Sequence, residues 1–418
     1  MSKVNRMYEI AKEKYAALGV DTDLALKLLQ IIEISVQCWQ GDDLIGFEES
    51  NKQLSGGIMA TGNYIGRARN ADELRRDCLK AFSLTPGKKR LNLHAIYLET
   101  NGKQVERDEI IPEHFEGWMQ WAKANNLSLD FNTTMFSHPK ADGYTIGSYD
   151  KSIRDFWIEH GKRCREIGAE MGRRQGNPCL INHWFIDGCK EAPVDRYQRR
   201  RMFMESMDQV ISKKISKDLL LDCIESKLFG IGLESFTAGS AEMCLGYAIT
   251  RDLVLTYDMG HFHPTESIAD KISSTLLYVD KIMLHTSRGV RWDSDHIVIQ
   301  NDEVISLMQE IVRADALDKI FFGLDFFDAS INRVAAWIIG IRATQKALLT
   351  ALLEPKQMLI EKERAGDTTS RLAIVEECKN MPINAVWDYY CEINNVPAGI
   401  AWLDEVKDYE NRVQSLRS

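Results

Sequence analysis

The chain has 418 residues, of which 44% are hydrophobic and 27% are charged. This composition is typical of a globular enzyme with a large buried core, and it excludes disordered, collagen-like and small disulfide-stabilised proteins. Its 61 acidic side chains outnumber the 52 basic ones, and the formal charge of −9 argues against a nucleic-acid-binding surface and favours a small neutral substrate.

No segment of the sequence has the pattern of a membrane span or an export signal. The longest apolar run, residues 335–341, is far shorter than the roughly 18 residues that indicate a membrane helix. The amino-terminal segment is charged throughout and lacks an apolar signal core. The nine cysteines are scattered and form no CxxC pair, so we expect reduced, structural thiols and a cytoplasmic protein.

Eight short apolar runs recur along the chain, and each is followed by a segment with helical spacing. Short, mostly apolar runs are typical of buried parallel strands, while the intervening segments have the periodicity of amphipathic helices. Repeated alternation of this kind predicts a (β/α)8 TIM barrel rather than separate domains. The predicted strands are 33–39, 90–98, 127–132, 179–186, 219–226, 253–258, 281–287 and 319–326.

Helical segments are predicted on both sides of the barrel. Residues 1–31 form an N-terminal helical segment, residues 32–345 the catalytic barrel, and residues 346–418 a C-terminal helical extension. The extension has little core of its own to join, so we expect it to contact another subunit in an oligomer. Residues 40–70 contain several glycines and are expected to form a long surface loop able to cover a site.

The predicted strands end in polar side chains, most of all in the second half of the chain. The carboxyl ends of barrel strands share one face, where the active sites of such barrels lie. Several buried carboxylates are costly unless they are paired or bound to metal, so we predict a site for Mn²⁺, Co²⁺, Zn²⁺ or Mg²⁺. The acidic and histidine side chains concerned are Glu225, Asp258, His261, His263, His285, Asp293, Asp295, His296, Asp325 and Asp328.

These side chains are numerous enough for two metal ions. Asp258 and His261 lie three residues apart as the chain leaves a strand, and Asp293 and Asp295 would project to the same side of an extended segment. One division places Glu225, Asp258, His285 and Asp325 around one ion, and His261, Asp293 and Asp295 around the other. Composition alone does not fix this division.

Other residues at the strand ends keep two interpretations. The larger ones either pack within the barrel or form the apolar wall of a sugar pocket; they are Trp39, Ile96, Phe131 and Trp184. His296 and Asp328, taken singly, are more typical of capping or solvated groups, and His263 is expected to be a loop residue or to support a ligand.

Long motifs at these positions closely resemble those of the L-rhamnose isomerase family. They are QCWQGDD (37–43), GGIMATGNY (56–64), KRLNLHAIYLE (89–99), ESKLFGIG (225–232), GHFHPTE (260–266), VRWDSDH (290–296) and GLDFFDASINR (323–333). They occur in order, and the likeness runs from about residue 7 to the carboxyl end. The resemblance implies a barrel enzyme of the bacterial cytoplasm, typically a homotetramer with two divalent metals, that converts L-rhamnose to L-rhamnulose.

The resemblance also implies roles for individual residues. The family's catalytic metal ligands match His261, Asp293 and Asp295, and its structural metal ligands match Glu225, Asp258, His285 and Asp325. We expect Mn²⁺ as cofactor, Asp325 to orient a catalytic water and Lys227 to hydrogen-bond the substrate oxygens. His94 would contact a sugar hydroxyl or assist ring opening, or else be a strand-end histidine whose nitrogens are satisfied within the protein. Leu54 would join the apolar side chains facing the sugar's methyl end.

Isomerisation of an aldose to a ketose moves a hydrogen from C2 to C1. Because no unpaired glutamate or histidine stands out as a base, a metal-assisted hydride shift is predicted over an enediol route. A metal-dependent phosphodiesterase is disfavoured by the net negative charge, and a non-catalytic sugar- or metal-binding protein by the complete ligand set. Two departures from the family pattern, at His183 and in the shortened segment 137–143, bear on the preference among related aldoses.

Overall fold

Eight parallel strands close into a barrel in the computed structural model, which describes residues 2–48, 60–227, 235–263, 265–290 and 293–417, without the side chains of residues 293–295. Its strands are β1 Glu33–Gln37, β2 Lys88–His94, β3 Ser128–Asn132, β4 Cys179–His183, β6 Leu220–Glu225, β8 Val254–Asp258, β9 Ile282–Thr286 and β12 Ile320–Leu324. Around the barrel they lie in the order β1-β12-β9-β8-β6-β4-β3-β2. The predicted fold class is therefore confirmed.

Two short antiparallel ribbons lie outside the barrel: β5 Gly188–Cys189 with β7 Phe236–Thr237, and β10 Arg288–Val290 with β11 Asp293–His296. The described part of the chain also forms fourteen α-helices. They are α1 Lys3–Ala16, α2 Thr22–Ile31, α3 Ala71–Ser83, α4 Glu116–Ala124, α5 Lys151–Gln175, α6 Arg196–Val210, α7 Ala241–Arg251, α8 Ile268–Thr275, α9 Asp302–Arg313, α10 Arg333–Leu352, α11 Lys356–Arg364, α12 Thr368–Cys378, α13 Ile383–Ile393 and α14 Trp402–Arg412.

Seven of the eight predicted strands contain an observed one, whereas β2 begins two residues before its predicted start at residue 90, and several strands end earlier than predicted. After β1, the chain turns into a short 3-10 helix, Cys38–Gly41, and after β2 into another, Ala95–Tyr97. Trp39 and Ile96 are therefore held on tight helical turns just beyond the strands, at the carboxyl end of the barrel.

The barrel interior is apolar below the strand ends of β4, β6, β8 and β9. Side chains alternate along a strand, so every second residue faces the interior. Leu180, Cys223, Val254 and Met283 belong to one buried cluster, apart from the large core between the barrel and its helices. The next inward position on each of these four strands is polar, namely Asn182, Glu225, Thr256 and His285, and Asp258 occupies the inward position that follows Thr256.

The C-terminal extension packs against its own chain, which corrects the expectation that it lacks a core to join. On α13, Val386, Trp387 and Tyr390 are buried in the main core, and α13 packs against α1 and α10. α10 is continuous from Arg333 to Leu352, so the predicted boundary at residue 345 falls inside this helix. We therefore propose to count α10 with the barrel and to begin the extension at α11.

All nine cysteines are free thiols, and seven of them are buried. None of the described helices has both the length and the apolar character of a membrane-spanning helix.

Candidate metal centre and sugar pocket

Four side chains converge at the carboxyl ends of β6, β8, β9 and β12. They are Glu225, Asp258, His285 and Asp325, and their ligand-type atoms all lie within 4.8 Å of one another. All four residues are buried. Strand alternation brings them together, because each occupies an inward position at the same end of the barrel. The structure thus assembles the four residues that the sequence analysis placed around one ion.

His285 Nδ1 faces the carboxylates. It lies 3.2 Å from Glu225 Oε1, 3.1 Å from Asp325 Oδ2 and 4.0 Å from Asp258 Oδ2. Gly323 on the neighbouring strand makes room for the imidazole, since a Cβ there would lie 3.2 Å from His285 Cδ2 and 2.7 Å from the Leu284 carbonyl oxygen. A larger residue at position 323 would displace the imidazole from this position.

Neutral donors orient two of the carboxylates. Asn182 Nδ2 donates to Glu225 Oε2 at 2.5 Å. Ser287 Oγ and the Gly260 backbone N–H donate to Asp258 Oδ1 at 3.0 and 2.7 Å. Such contacts fix carboxylates in the orientation that a metal requires.

The remaining oxygens of two carboxylates, Asp258 Oδ2 and Asp325 Oδ1, are buried and have no hydrogen-bond partner among the described residues. A buried carboxylate oxygen without a partner is costly. Three carboxylates and one imidazole therefore fit a divalent cation of the Mn²⁺, Co²⁺, Zn²⁺ or Mg²⁺ class.

Charge crowding within the cluster perturbs its pKa values. Burial raises the pKa of Asp258 to about 6, and the charges of Glu225 and Asp325 contribute to the rise while His261 and His285 oppose it. Burial would lower the pKa of His285, but the carboxylates of Glu225 and Asp325 raise it well above its usual range. Both shifts reflect three carboxylates gathered around one buried imidazole.

His261 lies just beyond β8, close to the cluster. Its Nδ1 is 2.8 Å from the Ser226 carbonyl oxygen and 3.4 Å from Glu225 Oε1. Because a carbonyl oxygen only accepts, Nδ1 carries the hydrogen and the lone pair is left on Nε2, as in many metal-binding histidines. The side chains of Asp293 and Asp295, the other predicted ligands of this ion, lie outside the described part of the structure, although their backbone forms β11 beside β10.

Lys227 follows Glu225 by two residues and is buried. Its Nζ donates to the Ile186 carbonyl oxygen at 2.7 Å. Its backbone N–H donates to the Gly239 carbonyl oxygen at 3.0 Å, which fixes the strand end that carries it. The ammonium group is thus buried and held at the Ile186 carbonyl oxygen.

His94 is buried, and both of its ring nitrogens have partners. Nε2 lies 3.0 Å from Gln37 Oε1 and Nδ1 lies 3.1 Å from Thr134 Oγ1. Burial, followed by the charge of His285, lowers the pKa of His94 well below its ordinary value, so the ring is neutral. These are the contacts of a histidine satisfied within the protein, and contact of His94 with the sugar remains a prediction.

Aromatic rings line the barrel mouth near His94. Trp39 stacks on the His94 ring with centroids 4.1 Å apart and meets Phe327 edge-on at 5.5 Å. Phe136 lies 5.7 Å from Trp184, and the indole nitrogens of Trp39 and Trp184 are buried without a partner among the described residues. We call Trp39, Phe136, Trp184 and Phe327 the aromatic wall.

Two members of the aromatic wall, Phe136 and Phe327, were not predicted from the sequence. Phe327 could have been found, since it stands two residues after Asp325 at a strand end. Phe136 gave no such signal, because it lies in an irregular segment beyond β3 whose neighbour Met135 bridges to Phe185.

Phe131 does not belong to the pocket, and that prediction is wrong. Its ring is fully buried and meets Phe115 edge-on at 5.0 Å, in the layer between barrel and helices. The next residue, Asn132, faces the interior and donates to Asn92 Oδ1 at 2.6 Å. Adjacent residues of a strand face opposite sides, so Phe131 must point outward.

Ile96 is buried beside the start of the first loop, where a Cβ at Gly46 would come within 2.7 Å of its Cγ1. Leu54 lies outside the described residues.

Asp328 Oδ1 accepts from the Ser330 backbone N–H at 2.7 Å, which is the expected capping contact. His183 Nε2 lies 2.9 Å from Asp222 Oδ1 on the outer face of the barrel. The departure from the family pattern at His183 therefore does not reach the metal cluster.

A family model and several known proteins match this chain over nearly its full length. The family model described as L-rhamnose isomerase (RhaA) matches residues 2–417. The chain is 54% identical to the L-rhamnose isomerase of Mannheimia succiniciproducens over 417 residues, which covers 100% of both chains. It is 53% identical to that of Bacteroides thetaiotaomicron over 414 residues, 99% of each. It is also 53% identical to that of Listeria monocytogenes serovar 1/2a over 413 residues, 99% of this chain and 98% of the relative.

Proposed function

Since the chain belongs to the L-rhamnose isomerase family and is an aldose–ketose isomerase acting on L-rhamnose, we propose that its four-residue cluster holds a metal ion required for this reaction. The supporting observation is the buried convergence of Glu225, Asp258, His285 and Asp325, with two carboxylate oxygens left without partners. The four residues would hold the ion that anchors the sugar's hydroxyls, and an ion at His261, Asp293 and Asp295 would supply Lewis-acid polarisation of O1 and O2.

The cofactor of our proposal is Mn²⁺, at two sites per chain. Mixed carboxylate and imidazole ligands suit Mn²⁺, and also Co²⁺, Zn²⁺ and Mg²⁺, better than a thiolate-preferring ion. The second site comprises His261, Asp293 and Asp295. Support for it comes from the Ser226 contact, which leaves the Nε2 lone pair of His261 available.

The chain's own side chains position the sugar and move its proton. Lys227 Nζ donates a hydrogen bond to the substrate oxygens and stabilises the negative charge that develops on them. Asp325 orients the water that carries a proton between O2 and O1. His94 contacts a sugar hydroxyl, and the methyl end of the sugar faces the aromatic wall with Ile96 and Leu54. Related aldoses that present the same C1–C2 chemistry are secondary substrates.

The protein acts as a homotetramer in the cytoplasm, on a small sugar and without nucleic acid or membrane partners. The formal charge of −9 supports the absence of a nucleic-acid partner, and the nine free thiols support the cytoplasmic location. Support for subunit contacts comes from α12, which has no buried residue and exposes 60% of Leu372. The mass of the native protein in solution checks the tetramer.

Removal of divalent metal is expected to abolish ketose formation from L-rhamnose. The acidic cluster loses the cation that its charge requires, and the sugar oxygens lose their polarisation. Protein stripped with chelator and dialysed should regain activity on addition of Mn²⁺, with Co²⁺, Zn²⁺ and Mg²⁺ assayed in parallel. Full activity in protein whose metal content has been measured as negligible would contradict the proposal.

The reaction is expected to proceed by a hydride shift, because Glu225 and His285, the glutamate and the histidine of the cluster, face each other at 3.2 Å and are proposed metal ligands rather than free bases for the C2 proton. Isomerisation in deuterated water should therefore leave C1 of the product almost free of deuterium, as measured by NMR. Substantial incorporation at C1 would instead establish an enediol route with solvent exchange.

A further inference from the structure

The last described residues lie across the loop that follows β1. We call residues 409–417 the C-terminal strap. Gln414 is fully buried against Gly66, whose φ of +82° suits glycine, and a Cβ at Gly66 would come within 2.4 Å of Gln414 Cβ. Arg417 Nη1 donates to the Gly66 carbonyl oxygen at 3.0 Å and to Asp77 Oδ2 at 2.6 Å, while its Nη2 donates to Asp77 Oδ1 at 2.8 Å. The strap is thus an integral part of the fold.

Glu410 joins this strap to two other segments. Its Oε2 accepts from the Tyr64 hydroxyl at 3.0 Å and from Asn332 Nδ2 at 2.6 Å. Asn332 also caps α10, since its Oδ1 accepts from the backbone N–H groups of Val334 and Ala335, both at 3.0 Å. One carboxylate therefore connects the loop after β1 with the start of α10.

From Tyr64 the connection continues to the sugar pocket. The Tyr64 backbone N–H donates to the Ala329 carbonyl oxygen at 2.8 Å, and the Ala329 N–H donates to the Thr61 carbonyl oxygen at 3.1 Å. Ala329 stands two residues after Phe327, which contacts Trp39. The paired segments 61–64 and 327–329 thus support one side of the aromatic wall.

The metal ligand on the same segment is anchored separately. The Asp325 backbone N–H donates to the Thr286 carbonyl oxygen at 3.2 Å. Asp325 directly follows Leu324, which is in register with Thr286 on β9 and with Val36 on β1. Loss of a contact in the strap should therefore move the aromatic wall and leave the metal cluster in place.

We infer that Glu410 is a positioning residue for sugar binding, acting through Tyr64 and Ala329 on Phe327 and Trp39. The inference rests on the proposed placement of the sugar against the aromatic wall. It concerns affinity for the sugar and not the chemical step, because Glu410 lies outside the acidic cluster and contacts none of its members among the described residues.

The test compares three variants loaded with Mn²⁺. Glu410→Ala is expected to raise KM for L-rhamnose about tenfold, since small displacements of groups that position a substrate are costly, with kcat and bound Mn²⁺ unchanged. Glu410→Gln keeps a side-chain oxygen that can accept from Tyr64, so its KM should stay near the wild-type value. Asp408→Ala is the matched control, because Asp408 pairs with Arg412 on the exposed face of the same helix.

Calorimetric titration with L-rhamnose provides a second readout, the apparent affinity for the sugar, which is not a rate. A weaker sugar affinity in Glu410→Ala than in Asp408→Ala supports the inference. If the wild-type protein binds L-rhamnose without isomerising it, the proposed function is contradicted, but the comparison of the two variants still tests the inference. Unchanged KM and affinity in Glu410→Ala, with a lower melting temperature, would show a merely structural residue and overturn the inference. A fall in kcat with KM unchanged would also overturn it.

Discussion

His261→Ala is expected to lower the turnover of L-rhamnose by at least about 10³-fold, because several kcal/mol of transition-state stabilisation depend on the metal that this residue is proposed to hold. The four-residue cluster does not include His261, so the first ion should stay bound. The imidazole contributes one hydrogen bond, to the Ser226 carbonyl, and the variant should therefore fold normally. Metal analysis should find one ion per chain in place of two.

His263→Ala is the matched control for this experiment. His263 lies two residues away in the same loop, is exposed, and has Nδ1 2.7 Å from Thr265 Oγ1. Its removal should leave turnover and metal content close to the wild-type values. Wild-type rates in His261→Ala, or equal losses in both variants, would contradict the assignment of His261 as a ligand.

Asp258→Asn is expected to change stability in opposite directions with and without metal. In the metal-free protein, Asp258 shares a buried site with the carboxylates of Glu225 and Asp325, and this crowding contributes to its raised pKa. Removing one of the three negative charges should stabilise the metal-free fold by about 1 kcal/mol, which is about 2 °C in melting temperature for a chain of this size.

With metal the same substitution should be destabilising. A tightly bound ion present at about a thousand times its Kd stabilises a protein by about 4 kcal/mol, and the variant lacks a charged ligand for it. Melting curves recorded with chelator and with Mn²⁺ measure both effects. Asp328→Asn is the control, since its amide oxygen still accepts from Ser330 and the residue lies outside the cluster. A lower melting temperature of Asp258→Asn in chelator would show that hydrogen bonding at Asp258 outweighs the relief of charge.

The strands of the barrel were predictable because each is a short apolar run, and the helices because their apolar residues recur with helical spacing. The residues at which the strands end could not be predicted, since the 3-10 turns at Cys38–Gly41 and Ala95–Tyr97 depend on local backbone hydrogen bonds rather than on hydrophobic pattern. The course of the C-terminal extension was also missed. Its contacts join residues that are hundreds of positions apart, such as the stacked rings of Tyr8 and Tyr389.

The acidic cluster was predictable because a parallel barrel brings all its strand ends to one face. Which atom of His285 faces the carboxylates, and the room that Gly323 leaves for its ring, required coordinates. Phe131 shows how a prediction at a strand end can fail by one position. Neighbouring side chains face opposite sides of a strand, so the inward position of Asn132 places the preceding phenylalanine in the helical layer.

The contacts between the C-terminal strap and the first loop have a consequence for synthesis of the protein on the ribosome. Gly66 meets Arg417 and Tyr64 meets Glu410, across separations of 351 and 346 residues. Domains begin to fold while the chain is still being made, from the amino terminus onward. The loop after β1 emerges early, yet the residues that anchor it emerge 346 and 351 residues later. A ribosome-bound nascent chain that stops short of them would carry most of the barrel with this loop still undocked.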